Sequence, residues 1–206
     1  MIYALERAAG RPVSRETVQL LNTYVAHIEA ANQAQNLVSA ATIANIWERH
    51  ILDSAQLVRF EPVAGASWLD IGSGAGLPGI VIALMVKGPV ALVEPRRLRA
   101  VFLEETVAAL GLAGRVAVHC AKIEQMVGKF DVITARAVAP LERLLAMSRH
   151  LAHDRTIWTL PKGRSANMEL VEARRSWQCE ARSEISCTDP EARILLLSHV
   201  RAKSNR

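Results

Sequence analysis

The chain has 206 residues, of which 50% are hydrophobic and 22% charged, and its formal net charge is +5. This composition is typical of a globular protein and excludes a largely disordered chain. No apolar run approaches the roughly 18 residues that a membrane-spanning helix needs, and the first residues lack the pattern of a secretion signal. We therefore expect a cytoplasmic protein, and its basic charge mildly favours an anionic partner such as RNA.

The cysteine pattern bears on disulfides and metals. Cys120, Cys179 and Cys187 are an odd number and include no C-x-x-C pair, which argues against both a disulfide framework and a zinc site. We predict three buried, apolar thiols and no bound metal.

The N-terminal part of the chain has helical patterns. Ser14 is a candidate N-cap, and apolar residues follow it at helical spacing. These residues are Val18, Leu21, Val25 and Ile28. Residues 32–41 predict a connection and residues 42–58 a second helix. We expect residues 1–60 to form a helical extension packed on a core of residues 61–206, in one compact domain.

From residue 67 onward, short β-rich runs alternate with helical patterns. The predicted strands are residues 67–71, 90–94, 116–120, 130–135 and 156–160. The predicted helices between them are residues 78–87, 97–110 and 140–151. This alternation predicts an α/β fold with a doubly wound, mostly parallel sheet covered on both faces. The apolar run at residues 193–201 predicts an antiparallel edge.

Residues 68–80 combine a strand, a glycine turn and the start of a helix. Gly72, Gly74 and Gly76 permit positive φ and let a ligand approach the backbone, and Pro78 suits the first turn of a helix. This is the pattern of the nucleotide-binding corner of a doubly wound fold. The alternative is a tight turn with a purely structural role.

The spacing of the glycines bears on the ligand. A dinucleotide-binding loop has the pattern G-x-G-x-x-G, whereas this loop is G-x-G-x-G and follows Asp70. A carboxylate beside a helix N-terminus opposes a pyrophosphate but suits a cation or a neutral donor. S-adenosylmethionine carries a sulfonium and an ammonium and no phosphate, so it fits this loop better than NAD does.

Two further strand ends carry candidate binding residues. Glu94 ends the second predicted strand, and an acid about 20 residues beyond the glycine loop is placed to accept the ribose hydroxyls of an adenosine. The alternative is a surface carboxylate that pairs with Arg96 or Arg97. Ile123 and Glu124 follow the third strand and suit the apolar face and polar edge of an adenine ring. Alternatively, Ile123 is a core residue and Glu124 is a charge in the first turn of a helix.

Basic residues follow the fourth and fifth predicted strands. The Arg136 guanidinium suits a phosphate or the carboxylate of a cofactor. Lys162 is a weaker candidate for a phosphate contact. The alternative for both residues is a solvated surface charge.

Several motifs occur in order between residues 36 and 163. They are Asn36-Leu37, Glu48-Arg49-His50-Ile51-Leu52-Asp53-Ser54, DIGSGAGLPG at residues 70–79, Arg99 with Phe102-Leu103, Arg136-Ala137 and Lys162-Gly163. In this set the chain resembles the RsmG family, the 16S ribosomal RNA guanine-N7 methyltransferases formerly called glucose-inhibited division protein B. The set is far more specific than the glycine loop alone.

The resemblance implies a Rossmann-like fold of the class I S-adenosylmethionine-dependent methyltransferases. It also implies methyl transfer to N7 of a guanine, with S-adenosylhomocysteine as product and 16S ribosomal RNA or a small-subunit ribosomal particle as partner. A monomer is expected. On the same basis Gly72, Leu77, Ile123, Glu124 and Arg136 line the cofactor site.

Residue patterns and resemblance together predict two sets of site residues. The cofactor-binding set is Asp70, Gly72, Gly74, Gly76, Leu77, Glu94, Ile123, Glu124 and Arg136. The RNA-positioning set is Arg96, Arg97, Arg99, Arg136 and Lys162. The family usually has a lysine where this chain has Leu98, which removes one candidate RNA contact. Because guanine N7 is an unprotonated acceptor, we predict no catalytic base and give His50 and Asp53 a structural or RNA-positioning role.

Two other functions are compatible with the same residues. A methyltransferase acting on another RNA, a protein or a small molecule would have the same fold and loop. A non-catalytic RNA-binding or assembly factor would bind RNA without binding the cofactor. Methyl transfer to ribosomal RNA and a cofactor titration distinguish these functions.

Overall fold

The structure is a computed structural model that describes residues 1–203. Within them, seven strands form one sheet. The strands are β1 Trp68–Ile71, β2 Val90–Val93, β3 Val116–His119, β4 Phe130–Ala135, β5 Ala152–Lys162, β6 Trp177–Ile185 and β7 Arg193–Ala202. Their order across the sheet is β3-β2-β1-β4-β5-β7-β6.

The strand order reverses between β1 and β4. The strands β3, β2, β1, β4 and β5 pair in parallel, and β7 pairs antiparallel with β5 and β6. The chain therefore runs from β1 out to β3 and then returns to the other side of β1. Ligands of open α/β sheets bind at such a reversal, outside the carboxyl ends of the strands. The predicted doubly wound sheet with an antiparallel edge is confirmed.

Helices precede the sheet and cover both of its faces. They are α1 Ile2–Ala9, α2 Arg15–Gln35, α3 Ala40–Ile43, α4 Asp53–Ala55, α5 Gly79–Met85, α6 Arg97–Ala109, α7 Leu141–Ser148 and α8 Ala166–Ser176. The prediction of a single helix over residues 42–58 was wrong. A π-helical turn, Trp47–Leu52, precedes α4, and a 3-10 turn, Gln56–Phe60, follows it. No helix within residues 1–203 is long and apolar enough to cross a membrane.

The long helix α2 begins where predicted but ends later. The Ser14 hydroxyl accepts a hydrogen bond from the Thr17 amide at 3.1 Å, which confirms Ser14 as the N-cap. The helix extends to Gln35 and therefore includes part of the predicted connection at residues 32–41. It ends at Asn36, whose φ of 48° is left-handed, and Asn is one of the residues that end helices in this way.

Helices α1 and α8 were not predicted from the sequence. In α1 only Leu5, Ala8 and Ala9 are buried, and so short a stripe carries little periodic signal. In α8 only Ala166 and Ala173 are buried. Both helices depend on contacts with the rest of the fold, because isolated helices of this length are marginal in water.

Two apolar clusters lie on opposite faces of the sheet. Successive strand residues point to opposite faces, so Trp68 belongs to the cluster under the N-terminal helices and α5. Its neighbour Leu69 belongs to the cluster under α7 and α8. Because the helices of residues 1–60 and the sheet share the first cluster, the N-terminal helices pack directly on the face that carries α5.

The prediction that all three cysteines are buried was wrong. Cys120 and Cys187 are exposed, and Cys179 is half-buried. Cys120 follows the outer strand β3, and Cys187 lies in the connection between β6 and β7. Connections of this kind run over the protein surface, so a residue type that is usually buried is exposed here.

Helix α2 also holds the glycine loop. The hydroxyl of Tyr24, which is fully buried, donates a hydrogen bond to the Ala75 carbonyl at 2.7 Å. We expect Tyr24→Phe to lower the free energy of unfolding by about 1–3 kcal/mol, because a buried carbonyl loses its partner. Urea unfolding measures this change.

The second tyrosine supplies the matched control. Tyr3 is 71% exposed, and we expect Tyr3→Phe to change the free energy of unfolding by less than about 0.5 kcal/mol. Equal values for the two variants would show that the Tyr24 hydroxyl does not stabilise the loop.

Candidate active site

The ends of the parallel strands place several predicted residues at one edge of the sheet. Ile71 is in register with Val93 on β2 and with Ala135 on β4. The next residues, Gly72, Glu94 and Arg136, therefore begin three connections that leave the same edge. This edge lies at the reversal of strand order, where a ligand site is expected.

The glycine loop requires bare backbone. Gly72, Gly74 and Gly76 have φ values of 67°, 57° and 90°, which side-chain-bearing residues rarely adopt. A Cβ on Gly72 would lie 2.7 Å from Val138 Cγ2, and one on Gly76 would lie 2.5 Å from Ile80 Cγ1. The loop is therefore packed on both of its sides.

Asp70 lies beneath the glycine loop. Its side chain is 1% exposed, and its Oδ2 accepts a hydrogen bond from the amide of Gly79, the first residue of α5, at 3.0 Å. A helix N-terminus attracts negative charge. Burial nevertheless raises the pKa of Asp70 to about 7. The carboxyl therefore holds the loop to the helix from below and does not face open space.

Glu94 joins the glycine loop to the end of β2. Its Oε2 accepts from the Gly74 amide at 3.0 Å, and its Oε1 accepts from the Arg96 amide at 2.9 Å. Each carboxylate oxygen can accept a further hydrogen bond. Although Glu94 is 4% exposed, it lines a cleft beside the loop, where it can bind hydroxyl groups.

We call this cleft the glycine-loop cleft. Its volume is about 430 Å³, within the range of small-molecule sites. Lining residues include Gly72, Glu94, Arg99, Ile123, Glu124 and Val138. Ile123 is buried and forms an apolar wall, whereas Glu124 is exposed at the rim. Four predicted cofactor residues are thus brought together.

A second cleft, of about 520 Å³, adjoins the first. It lies between the π-helical turn, the ends of β4 and β5, and the connection from β6 to β7. Lining residues include Arg49, Asp53, Arg136, Lys162, Glu169 and Thr188. Ala137 and Val138 line both clefts, so the two spaces are separated by this short piece of chain.

Arg136 was predicted to bind both the cofactor and the RNA. It lines the second cleft and not the glycine-loop cleft. Its Nη1 lies 3.0 Å from His50 Nδ1 and 3.4 Å from Asp53 Oδ2. Because arginine only donates hydrogen bonds, His50 Nδ1 accepts here and the imidazole proton is on Nε2. Burial, reinforced by the Arg136 charge, lowers the pKa of His50 to about 4. His50 is therefore neutral at physiological pH and is a weak proton acceptor.

Lys162 also lies in the second cleft, but its ammonium is engaged within the protein. Its Nζ donates to the Ala139 carbonyl at 3.0 Å and to Glu169 Oε2 at 2.8 Å. The side chain is only 11% exposed. Lys162 is thus placed to hold the chain near Ala139.

The remaining predicted residues lie around the glycine-loop cleft. Arg96 lines it together with Arg99, whereas Arg97 is exposed outside both clefts. Leu98, beside it, is 71% exposed. Leu77 is 5% exposed and belongs to the apolar core under the loop.

Sequence reasoning missed Val138 and Arg143 in the glycine-loop cleft and Glu169 in the second cleft. Arg143 and Glu169 lie within α7 and α8, away from the strand ends where binding residues are expected. Val138 follows a predicted strand, but an apolar side chain gives no signal of a binding role.

Comparison with known proteins identifies the family. The family model described as rRNA small subunit methyltransferase G matches residues 17–195. The chain belongs to this family. A member named ribosomal RNA small subunit methyltransferase G, from Zymomonas mobilis, is 41% identical over 203 residues, which cover 94% of this chain and 91% of the relative. The protein of the same name from Rhizorhabdus wittichii is 46% identical over 197 residues, covering 93% and 89%.

Solved structures support the fold expected for the family. A ribosomal protein L11 methylase from Lactobacillus delbrueckii has a TM-score of 0.58 at 18% identity, covering 73% of this chain and 78% of its own. A SAM-dependent methyltransferase from Aquifex aeolicus has a TM-score of 0.58 at 15% identity, covering 75% and 92%. The predicted Rossmann-like methyltransferase fold is confirmed.

The raised pKa of Asp70 predicts a pH-dependent stability. As pH rises from about 4 to about 7, the unfolded carboxyl loses its proton while the folded one keeps it, so the free energy of unfolding falls. The side chain in Asp70→Asn does not titrate, so its contribution to the free energy of unfolding does not fall with rising pH. We expect the stability of the variant relative to the wild type to rise by up to about 4 kcal/mol across that range, as measured by urea unfolding of the cofactor-free proteins.

Asp131→Asn is the control, because the pKa of Asp131 is shifted in the opposite direction. A hydrogen bond from the Ser67 amide lowers it, so the stability that Asp131 contributes is present at neutral pH and is lost as pH falls below about 4. Parallel pH profiles for the two variants would contradict the assignment of a raised pKa to Asp70.

Proposed function

We propose that this protein transfers the methyl group of S-adenosylmethionine to N7 of a guanine in 16S ribosomal RNA, as a monomer in the cytoplasm. The family match over residues 17–195 carries the proposal. The glycine-loop cleft at the reversal of strand order supports it.

The residues of the glycine-loop cleft suit the proposed cofactor. The bare backbone of Gly72 permits close approach, and the free lone pairs of Glu94 suit the two ribose hydroxyls. The buried Ile123 suits the face of an adenine ring, with Glu124 at its edge. We assign these residues direct contacts with the cofactor.

The other proposed cofactor residues act on the loop itself. Asp70 binds the Gly79 amide, Gly74 binds Glu94, and the missing side chain of Gly76 leaves room for Ile80. Leu77 packs in the core below. These residues give the backbone the shape that the cofactor requires.

The chemistry requires positioning more than proton transfer. The cofactor supplies a methyl group on a positively charged sulfur. Guanine N7 is an unprotonated acceptor, so no side chain has to remove a proton, and we assign no catalytic residue. Holding two reactants in line is worth up to about 7–11 kcal/mol in well-oriented systems. The protein therefore needs two adjoining sites at a fixed separation.

The second cleft is our proposed approach for the guanine. A base in folded RNA must leave its stack to be modified, and this cleft meets the glycine-loop cleft at Ala137 and Val138. We assign Arg96, Arg97 and Arg99 to phosphate contacts beside the glycine-loop cleft. Arg136 and Lys162 position the RNA through the shape of the second cleft.

A methylation assay tests the function directly. Purified protein is incubated with cofactor carrying a labelled methyl group and with small-subunit ribosomal particles that lack the modification. We expect label at N7 of one guanine in 16S ribosomal RNA. Label confined to protein, to another RNA or to a small molecule would contradict the proposal.

Gly72→Asp serves as the inactive variant in that assay. The new side chain would begin 2.7 Å from Val138 at a φ of 67°, and we expect neither cofactor binding nor labelling. Gly114→Asp is the matched control, because nothing lies within 4 Å of its Cβ position. Normal cofactor affinity in Gly72→Asp would refute the proposed site.

The absence of a required base predicts a flat pH profile. With saturating cofactor, we expect the single-turnover rate to change little between about pH 6 and pH 8, where an unperturbed histidine titrates. An inflection that disappears in His50→Asn but persists in Asp70→Asn would instead make His50 a participant. Asp70 belongs in the comparison because its own pKa is about 7.

A further inference from the structure

The chain that separates the two clefts is short and contains an unusual backbone conformation. We call residues 136–140 the partition loop. Ala137 has a φ of 56°, which residues with a Cβ adopt rarely and which surrounding contacts must maintain. Val138, the next residue, lies against Gly72 in the glycine loop. The position of this valine therefore depends on what holds the loop.

Glu169, in the first turn of α8, holds the far end of the partition loop. Its Oε2 accepts from the amide of Leu141, the first residue of α7, at 2.9 Å. The same oxygen accepts from Lys162 Nζ at 2.8 Å, and Lys162 in turn donates to the Ala139 carbonyl. One carboxylate oxygen thus fixes the chain at Leu141 directly and at Ala139 through Lys162.

Within residues 1–203, the bond from Lys162 is the only side-chain hydrogen bond to the backbone of residues 137–140. The Oε1 of Glu169 accepts from the Ser165 hydroxyl at 2.8 Å, which fixes the carboxylate itself. Although burial raises it, hydrogen bonds from Lys162 and Ser165 bring the pKa of Glu169 below its usual value. The carboxylate is therefore ionised at neutral pH, as both donors require.

We propose that Glu169 is a positioning residue for methyl transfer: through Lys162 and the Leu141 amide, it sets the place of Val138 between the two clefts. The proposal rests on the proposed function, in which the methyl donor occupies the glycine-loop cleft and the guanine the second cleft. Because alignment of the two reactants is the main source of rate, a small shift of the partition loop lowers the transfer rate more than it lowers the affinity for either reactant.

Glu169→Gln is the informative substitution. It keeps the size of the side chain but removes the charge and replaces one acceptor oxygen with a donor. We expect the single-turnover rate, with saturating cofactor and ribosomal particles, to fall about tenfold or more. The dissociation constant of the cofactor, measured by titration, should stay within about twofold of the wild type. Glu172→Gln, on an exposed position of the same helix, is the matched control and should change neither value.

Lys162→Met tests the same link from its other end. We expect a fall in rate no larger than that of Glu169→Gln, which also loses the Leu141 contact. The double variant should lose little more than Glu169→Gln alone, because Lys162 is held at the Ala139 carbonyl by the same carboxylate. Additive losses would contradict a shared path to the partition loop.

The position of Val138 can be followed by NMR without an activity assay. The methyl NMR signals of Val138, assigned by their loss in Val138→Ala, should shift in Glu169→Gln and not in Glu172→Gln. Unmoved signals, an unchanged rate, or a parallel loss of rate, cofactor affinity and melting temperature would each overturn the proposal. A wild-type protein that binds cofactor but labels no ribosomal RNA would overturn the proposed function instead, and the methyl signals would still decide whether Glu169 positions the loop.

Discussion

The buried carboxyl of Asp70 holds the glycine loop from below. Asp70 Oδ2 accepts a hydrogen bond from the Gly79 amide, so the end of β1 and the first turn of α5 are fixed to each other beneath the loop. The other oxygen, Oδ1, has no hydrogen-bond partner within residues 1–203. Burial of that oxygen makes ionisation costly, which is why the pKa rises. The hydrogen bond between Asp70 and Gly79 that holds the loop therefore depends on the protonation state of Asp70.

Two contacts from distant parts of the chain hold the same loop from the sides. Glu94 binds the Gly74 amide from the end of β2, and Tyr24 binds the Ala75 carbonyl from α2. The N-terminal helices therefore contribute to both clefts, because Asp53 holds Arg136 in the second one. The N-terminal helices thus support the glycine-loop cleft through Tyr24 and line the second cleft with Arg49 and Asp53.

Local patterns predicted the sheet and the glycine loop but not the second cleft. The strand over residues 130–135 has its predicted bounds, because β-rich runs between turn residues are visible in a short window. The direction of the Arg136 guanidinium is set by His50, far away in the chain. A short stretch of sequence therefore could not show whether Arg136 binds the cofactor or lines the second cleft. The position of Lys162 after the fifth strand likewise suggests a phosphate contact, whereas its ammonium donates to the Ala139 carbonyl and to Glu169 Oε2.

The pairing of Arg136 also bears on the charge that the proposed reaction moves. Methyl transfer carries a positive charge from sulfur to the purine, so a bare guanidinium beside the acceptor would oppose the product. Asp53 Oδ2 lies 3.4 Å from Arg136 Nη1, and His50, on the same guanidinium, is neutral because its pKa is about 4. The group is therefore close to electrically neutral. Arg136 can shape the second cleft through hydrogen bonds without repelling a purine that becomes positively charged.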